Sequence, residues 1–386
     1  MKKVLALLLV AVLCLGCFAA CGGSGDSENG GNTATGTNYA ANNTEYVIGC
    51  TGPLTGDASS YGISVQEGAE LAVKQINANG GLNGVNFKFD MKDDKAAAAD
   101  AQTGYDALYE AGMQASIGSV TSGSAAAFGA KSNEDNVFFM TPSASAANVI
   151  ESGDNCFRVC FGDPDQGYLA AEKITAAYKN IGAIYDNSDP YSTGVYEAFQ
   201  TKMKELGVEY KVQYFDSENK KDFSTQIEAL KDCDAIFLPI YYTEAGLIAK
   251  AAAAKGCDAV LYGCDGLDGV ADQIDETVTN EIKYITPFDV NNESDKVVDF
   301  VKAYKEEYNG KAPDQFAADA YDAVMVIYEA MKAAGVDDVT IDPSTLCDTI
   351  KETITSDSFK YAGVTGEMTW DASGACTKAP QIVELN

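Results

Sequence analysis

The chain has 386 residues, of which 46% are hydrophobic and 10% aromatic, and it carries a formal net charge of -30. That apolar content can build real cores and excludes global disorder, and the length leaves room for about two domains of roughly 150 residues each. The acidity argues against nucleic acid and anionic membrane surfaces as partners, since both are met by Lys and Arg patches.

The N-terminus reads as a targeting segment. Lys2 and Lys3 precede an uncharged apolar run from Val4 to Ala20, the charged and hydrophobic regions of a secretory signal. The run ends in small residues before Cys21 and resembles a bacterial lipoprotein signal, which implies that Cys21 is acylated; Leu15-Gly16-Cys17 is a second site of the same kind. Residues 22–44 hold Gly, Ser, Asn and Thr and little that packs, so they are expected to be a flexible tether.

The folded part opens with YVIGC (Tyr46 to Cys50), a short apolar strand. A Gly, Thr and Pro-rich loop follows, ending in Ser59, Ser60 and Tyr61, and then a helix. Val65, Ala69, Ala72, Val73 and Ile76 recur at three- and four-residue spacing and share one face; Asn79, Gly80 and Gly81 end the helix. FKFDM alternates as a strand does, an Ala-rich helix runs to about Gly112, and ASIGS is the next strand. TSGSAAAFGAKS opens with residues suited to helix capping, and VFFMTPSAS is a buried strand running into a loop. A second series starts near Asp163: strands IGAIY, EYKVQYF, AIFLP and AVLYG alternate with helices. The last third reads as strand KYITPF, helices over 294–308 and 314–334, a short helix after Pro343, and late strands near Met368 and Ile382. Alternating strands and helices imply parallel sheets covered by helices, here in two lobes.

Eight cysteines lie in this part, most inside apolar runs, and are expected to be buried small hydrophobes. Cys156 and Cys160 are expected in one strand, where four residues span ~13 Å and are too far apart to bridge. No pair of cysteines meets another at zinc-finger spacing, so no metal site is expected.

Catalytic constellations are mostly excluded. The chain has no histidine, which removes Ser-His-Asp and Cys-His nucleophile systems, and Arg158 is the one arginine. There is no GxxxxGK[ST] loop and no GxGxxG between a strand and a helix. Asp93 and Asp94 are expected to be solvated or structural. What remains is a set of polar and aromatic residues at strand carboxyl ends: Tyr61, Ser122, Ser124, Ser143 and Ser145 in the first lobe, Tyr191, Tyr241 and Asp265 in the second. Residues so placed in two facing lobes line one cleft, a preferred ligand site.

The segments GPLTGDASSYG, GAELAVKQINANGGLNG, MTPSAS, DPDQG, YYTEAG, GCDGLDG, FAADAYDAV and VTGEMTWD occur in the order and spacing of a known family. From Tyr46 to Asp371 the chain resembles the solute-binding proteins of branched-chain amino-acid ABC transporters, the leucine/isoleucine/valine-binding family with the type I periplasmic-binding fold. The resemblance implies two doubly wound parallel-sheet lobes joined by three crossover segments, near Asp163, Pro287 and Gly363. Lobe one is then 45–163 with 288–362, and lobe two 164–287 with 363–386.

The resemblance also implies site roles. Ser122 and Ser145 hold a ligand carboxylate; Asp265, the Ser145 hydroxyl and the carbonyl at Ser143, beside Ala144, meet its ammonium; Tyr61, Tyr191, Tyr241 and Phe316 form an aromatic wall. Ala96 and Thr121 stand where some members carry a disulfide, and Asp265 stands where some carry the longer Glu. The implied function is capture of an aliphatic amino acid by hinge closure and delivery to a membrane permease, without catalysis or cofactor, by a lipid-anchored monomer outside the cell membrane. An amide, urea or aromatic amino-acid ligand and a sensory receptor are the alternatives.

Overall fold

The structure is a computed structural model and describes residues 37–378 and 380–385. Cys17, Cys21, the apolar leader and most of the expected tether lie outside the described residues. No helix among the described residues is long and apolar enough to cross a membrane.

The first series comprises β1 (Tyr46–Gly52), α1 (Ser59–Ala78), β2 (Phe87–Asp93), α2 (Ala98–Glu110), β3 (Ala115–Ser116), α3 (Ser122–Glu134), β4 (Phe138–Thr141), the short α4 (Ala147–Ile150) and β5 (Cys156–Arg158). Its strands pair in parallel in the order β2-β1-β3-β4-β5. The second comprises α5 (Asp163–Ala177), β6 (Ile181–Asp186), α6 (Pro190–Leu206), β7 (Lys211–Phe215), α7 (Ser224–Leu230), β8 (Ala235–Leu238), α8 (Tyr242–Lys255), β9 (Val260–Gly263) and β10 (Ile282–Thr286). The chain then forms α9 (Asp295–Glu307), α10 (Gln315–Ala333), α11 (Pro343–Ile354), the hairpin β11 (Tyr361–Gly363) and β12 (Gly366–Met368), and β13 (Gln381–Leu385).

The second sheet runs β13-β10-β9-β8-β6-β7, parallel except for β13, which lies antiparallel on β10. Counted from its own first strand, each sheet has the doubly wound order 2-1-3-4-5. The direction of winding therefore reverses once in each, between β1 and β3 and between β6 and β8. Open α/β sheets place ligands outside the carboxyl ends of the strands at such a reversal.

Packing follows the periodicity. Val65, Ala69, Ala72, Val73 and Ile76 are all buried on one face of α1, and each larger apolar side chain contributes about 1.5–3 kcal/mol when buried. Helix α1 lies against α10 so closely that a Cβ on Gly68 would stand 2.0 Å from the Ala317 carbonyl oxygen. This contact, with α11 packed on β3 and β4, returns the late helices to the first sheet, while β13 joins the second.

The structure departs from the sequence reading in four places. Helix α1 begins at Ser59, so Tyr61 sits in its first turn rather than in the preceding loop. Helix α5 was not assigned from sequence; Pro164 sits in its first turn, and Asp165 accepts the Gly162 N–H at 3.0 Å. Strand β5 ends at Arg158, so Cys156 lies in it and Cys160 beyond it. The end of the expected tether is packed rather than flexible: Tyr39–Asn42 forms a 3-10 turn, Ala40 is buried, and Asn43 Nδ2 donates to the Gly112 carbonyl at 2.9 Å. Asp94 takes the structural of its two expected readings: fully buried, its carboxylate accepts the Ser119 hydroxyl at 2.6 Å and the Ala96 N–H at 2.9 Å, fixing the turn after β2. All eight cysteines of the folded part are free thiols, seven buried and Cys376 half-buried.

Candidate ligand-binding site

The loops at the two reversals, with those after β4 and β9, meet around a cavity of about 20 Å³. Tyr61, Ser122 and Ser143 line it from the first series, Tyr191, Tyr241 and Asp265 from the second, and Phe316 from α10. Ala144 and Ser145 do not line it. A second cavity of about 290 Å³ adjoins Tyr241 at the mouth of the cleft, where Lys220 bridges Asp57 at 3.1 Å and Glu244 at 3.0 Å.

One side of the site is rich in hydroxyls and free N–H groups. Thr121 is the N-cap of α3, and the first bond of that helix runs from Ala125 N–H to the Thr121 carbonyl, so the N–H groups of Ser122, Gly123 and Ser124 have no helical acceptor. The hydroxyls of Thr121 and Ser124 are buried and make no hydrogen bond within the protein. The neighbouring loop is stapled to this one: Thr141 Oγ1 donates to the Ser119 carbonyl and accepts the N–H groups of Ser143 and Ala144, and the Ser143 hydroxyl donates to the Val120 carbonyl at 2.6 Å. Ser122 Oγ accepts the Ala146 N–H at 3.3 Å. The Ser143 N–H and hydroxyl and the Ala144 N–H are thus spent on the loop, whereas the buried Ser145 hydroxyl has no partner. A helix N-terminus with spare donors favours an anion.

The opposite side is acidic. Asp265 follows β9 in a short 3-10 turn (Asp265–Leu267), is 5% exposed, and has one carboxylate oxygen without a partner. Burial pushes its carboxyl up to about 7, against the restraint of the Tyr191 hydroxyl and Gln166. Gln166 Oε1 accepts the Asp265 N–H at 3.0 Å, while Gln166 Nε2 is unpartnered.

Within the field of Asp265 lies Asp163, the first residue of α5, 2% exposed with neither carboxylate oxygen meeting hydrogen-bond geometry. Burial holds Asp163 well above the usual carboxylate range; the nearby Ser145 hydroxyl draws it back and the charge of Asp265 raises it further. Two buried acids and a serine hydroxyl without partners are left uncompensated within the protein, and a cation placed between them would offset that cost. Asp163 and Gln166 were absent from the residues singled out by sequence as site candidates. The Asp-Pro pair that opens α5 within DPDQG was the available signal.

The aromatic residues close the site. Tyr191 and Tyr241 stack at 5.2 Å, and Tyr61 packs against Phe316 at 4.3 Å and edge-on to Tyr241 at 5.6 Å. Tyr61 does more than supply a ring. Its hydroxyl donates to the Gly266 carbonyl at 2.5 Å and accepts the Tyr242 N–H at 3.1 Å, tying α1 to the start of α8 and to the Asp265 turn.

A family described as periplasmic binding protein matches residues 45–380 of the chain. The chain belongs to that family. Among the relatives of this periplasmic binding protein, the Leu/Ile/Val-binding protein homolog 1 of Brucella abortus (strain 2308) is 27% identical over 337 residues, covering 86% of this chain and 87% of that one. Among solved structures, a leucine binding protein LivK from Thermotoga maritima MSB8 aligns with a TM-score of 0.77 at 26% identity, covering 87% of this chain and 94% of the other. The branched-chain amino acid transporter substrate binding protein LivJ from Streptococcus pneumoniae, in complex with isoleucine, aligns with a TM-score of 0.75 at 28% identity, covering 88% and 100%. The fold is therefore that of a substrate-binding protein of ABC transport, and the expected α/β architecture is the one found.

Proposed function

We propose that this protein captures an α-amino acid with an aliphatic side chain, leucine, isoleucine or valine, and hands it to an ABC permease. The observation that carries this reading is the pair of buried, unpartnered acids, Asp163 and Asp265, opposite the open N-terminus of α3. A zwitterion has one group for each side. In this reading the carboxylate is held by Ser122, Ser145 and the free N–H groups of α3; the ammonium is held by Asp265, Asp163 and the Ser145 hydroxyl. Tyr61, Tyr191, Tyr241 and Phe316 surround the side chain. In this reading no bond is made or broken: the side chains of the site bind the ligand and release it unchanged.

Entry requires movement. A cavity of about 20 Å³ takes no more than about one water molecule, so the lobes must part to admit the ligand and close again over it by a hinge. The hinge bodies are proposed as 45–163 with 288–362 and 164–287 with 363–386. The packing of α10 on α1 and the pairing of β13 with β10 support the placing of those two elements, whereas Trp370, Gly374 and Lys378 bond to Arg158 and Asp319 of the first body. Work outside the cell membrane, held by a lipid on Cys21, completes the reading.

A thermal-shift screen of protein unfolded and refolded to strip bound ligand tests it. A ligand at a thousand times its dissociation constant adds about 4 kcal/mol of stability. A rise with leucine, isoleucine or valine is expected. A rise only with amides, urea or aromatic acids would refute the ligand and keep the fold.

A further inference from the structure

Arg158, the one arginine, is 5% exposed at the end of β5 and forms no ion pair among the described residues. Its guanidinium donates to the carbonyl of Ser145, which also accepts the Asp163 N–H at 3.0 Å. Its own backbone is clamped by the C-terminal segment: Arg158 N–H donates to the Gly374 carbonyl at 3.1 Å, and the Trp370 indole N–H donates to the Arg158 carbonyl at 2.7 Å. One side chain thus fixes the residue whose hydroxyl lies beside Asp163.

We propose that Arg158 is the positioning residue of the ligand site, holding Ser145 and Asp163 in the arrangement that an α-ammonium group needs. This rests on the amino-acid reading above. A guanidinium presents its donors in a planar fork, so it can hold a carbonyl while keeping its charge, which stays on at any physiological pH.

The charge matters because of what else faces Asp163. Asp265 approaches from the turn after β9 and Asp189 from the N-cap of α6, both acidic; the Ser145 hydroxyl comes from the loop after β4. The Cys264 thiol and the Tyr241 phenol are also in its field. On the α6 side, a Cβ on Gly194 would stand 2.1 Å from Asp163 Oδ2, so that face is closed. Arg158 is the cation of this set, and its field favours the ionised acid that an ammonium requires. Loss of the guanidinium should therefore weaken binding most at low pH.

The test is isothermal titration of the ligand-stripped full chain with L-leucine from about pH 5.5 to about pH 9. Wild type, Arg158→Met, Arg158→Lys, Asp163→Asn and the Met/Asn double variant are compared. R158M is expected to weaken binding roughly tenfold or more near neutral pH and to recover part of it as pH rises. R158K is expected to keep the wild-type midpoint at lower affinity, and R158M is expected to cost less in the D163N background.

An R158M profile parallel to wild type, or equal losses with and without Asp163, would overturn the proposal. If R158M does not fold, R158K decides: affinity equal to wild type throughout also overturns it. A wild-type protein that binds no amino acid sinks the reading under Proposed function and this one with it. A wild type that binds, with indifferent variants, sinks this one alone.

Discussion

Asp265→Asn should move stability and affinity in opposite directions. The carboxyl is buried in the folded protein and rises from 3.8 to about 7 there. The folded state holds the proton more tightly than the unfolded chain does. Stability therefore falls as pH climbs from about 4 to about 7 and stays low above that, by roughly 4 kcal/mol at about 1.4 kcal/mol per tenfold in proton affinity. Asparagine keeps the shape and never ionises.

In ligand-free protein D265N should thus be more stable than wild type at pH 8, by up to roughly 4 kcal/mol, and nearly equal below about pH 4. Binding should suffer instead, because removing one partner of a buried charge pair costs about 3–5 kcal/mol, roughly two to four orders of magnitude in dissociation constant. Urea unfolding at the two pH values and titration with leucine at pH 8 measure both. A variant no more stable than wild type at pH 8, or one that binds leucine as tightly, would refute the reasoning.

Other perturbations separate the remaining parts of the account. Tyr61→Phe keeps the ring against Phe316 and loses the hydroxyl shared by Gly266 and Tyr242. Leucine release in stopped flow should quicken about five- to a hundredfold for the ~1–3 kcal/mol of a buried hydrogen bond, and an unchanged rate would show that Tyr61 is only a wall. Gly194→Ala sets a methyl carbon 2.1 Å from Asp163 Oδ2, so affinity should drop about tenfold or more by titration; no change would remove Asp163 from the site. Lys378→Met strands Asp319, whose ion pair with Lys378 is almost wholly buried, and should cost about 3–5 kcal/mol in urea unfolding. Lys74→Met, at an exposed pair with Glu307, should leave the midpoint where it is, and equal effects would contradict the burial argument.

The sequence displays the parts of this fold that local physics determines. Apolar spacing marks α1 because five buried residues fall on one face, and strand-helix alternation marks both sheets because parallel strands need crossovers. The site was legible where a polar or aromatic residue follows a strand, as Tyr241 follows β8 and Asp265 follows β9. Asp163 and Gln166 were not, because their role depends on burial near Asp265, and burial is a property of packing rather than of neighbours in the chain. The same holds for Asp94, charged and flanked by charges in sequence yet enclosed by Ser119 and Ala96. Tyr61 shows the limit in another way: its ring could be placed from the motif, but the reach of its hydroxyl to Gly266 needed both lobes.

Joint recognition of both charged ends of an amino acid is the central proposal. Titration of the ligand-stripped protein with three compounds tests it most directly: L-leucine, its 2-oxo acid, which lacks the ammonium, and isopentylamine, which lacks the carboxylate. The account predicts tight binding of leucine and at least a hundredfold weaker binding of each analogue, as expected when a buried charge is left unpaired at ~3 kcal/mol or more. A 2-oxo acid that binds as tightly as leucine would leave Asp163 and Asp265 without a role and contradict it.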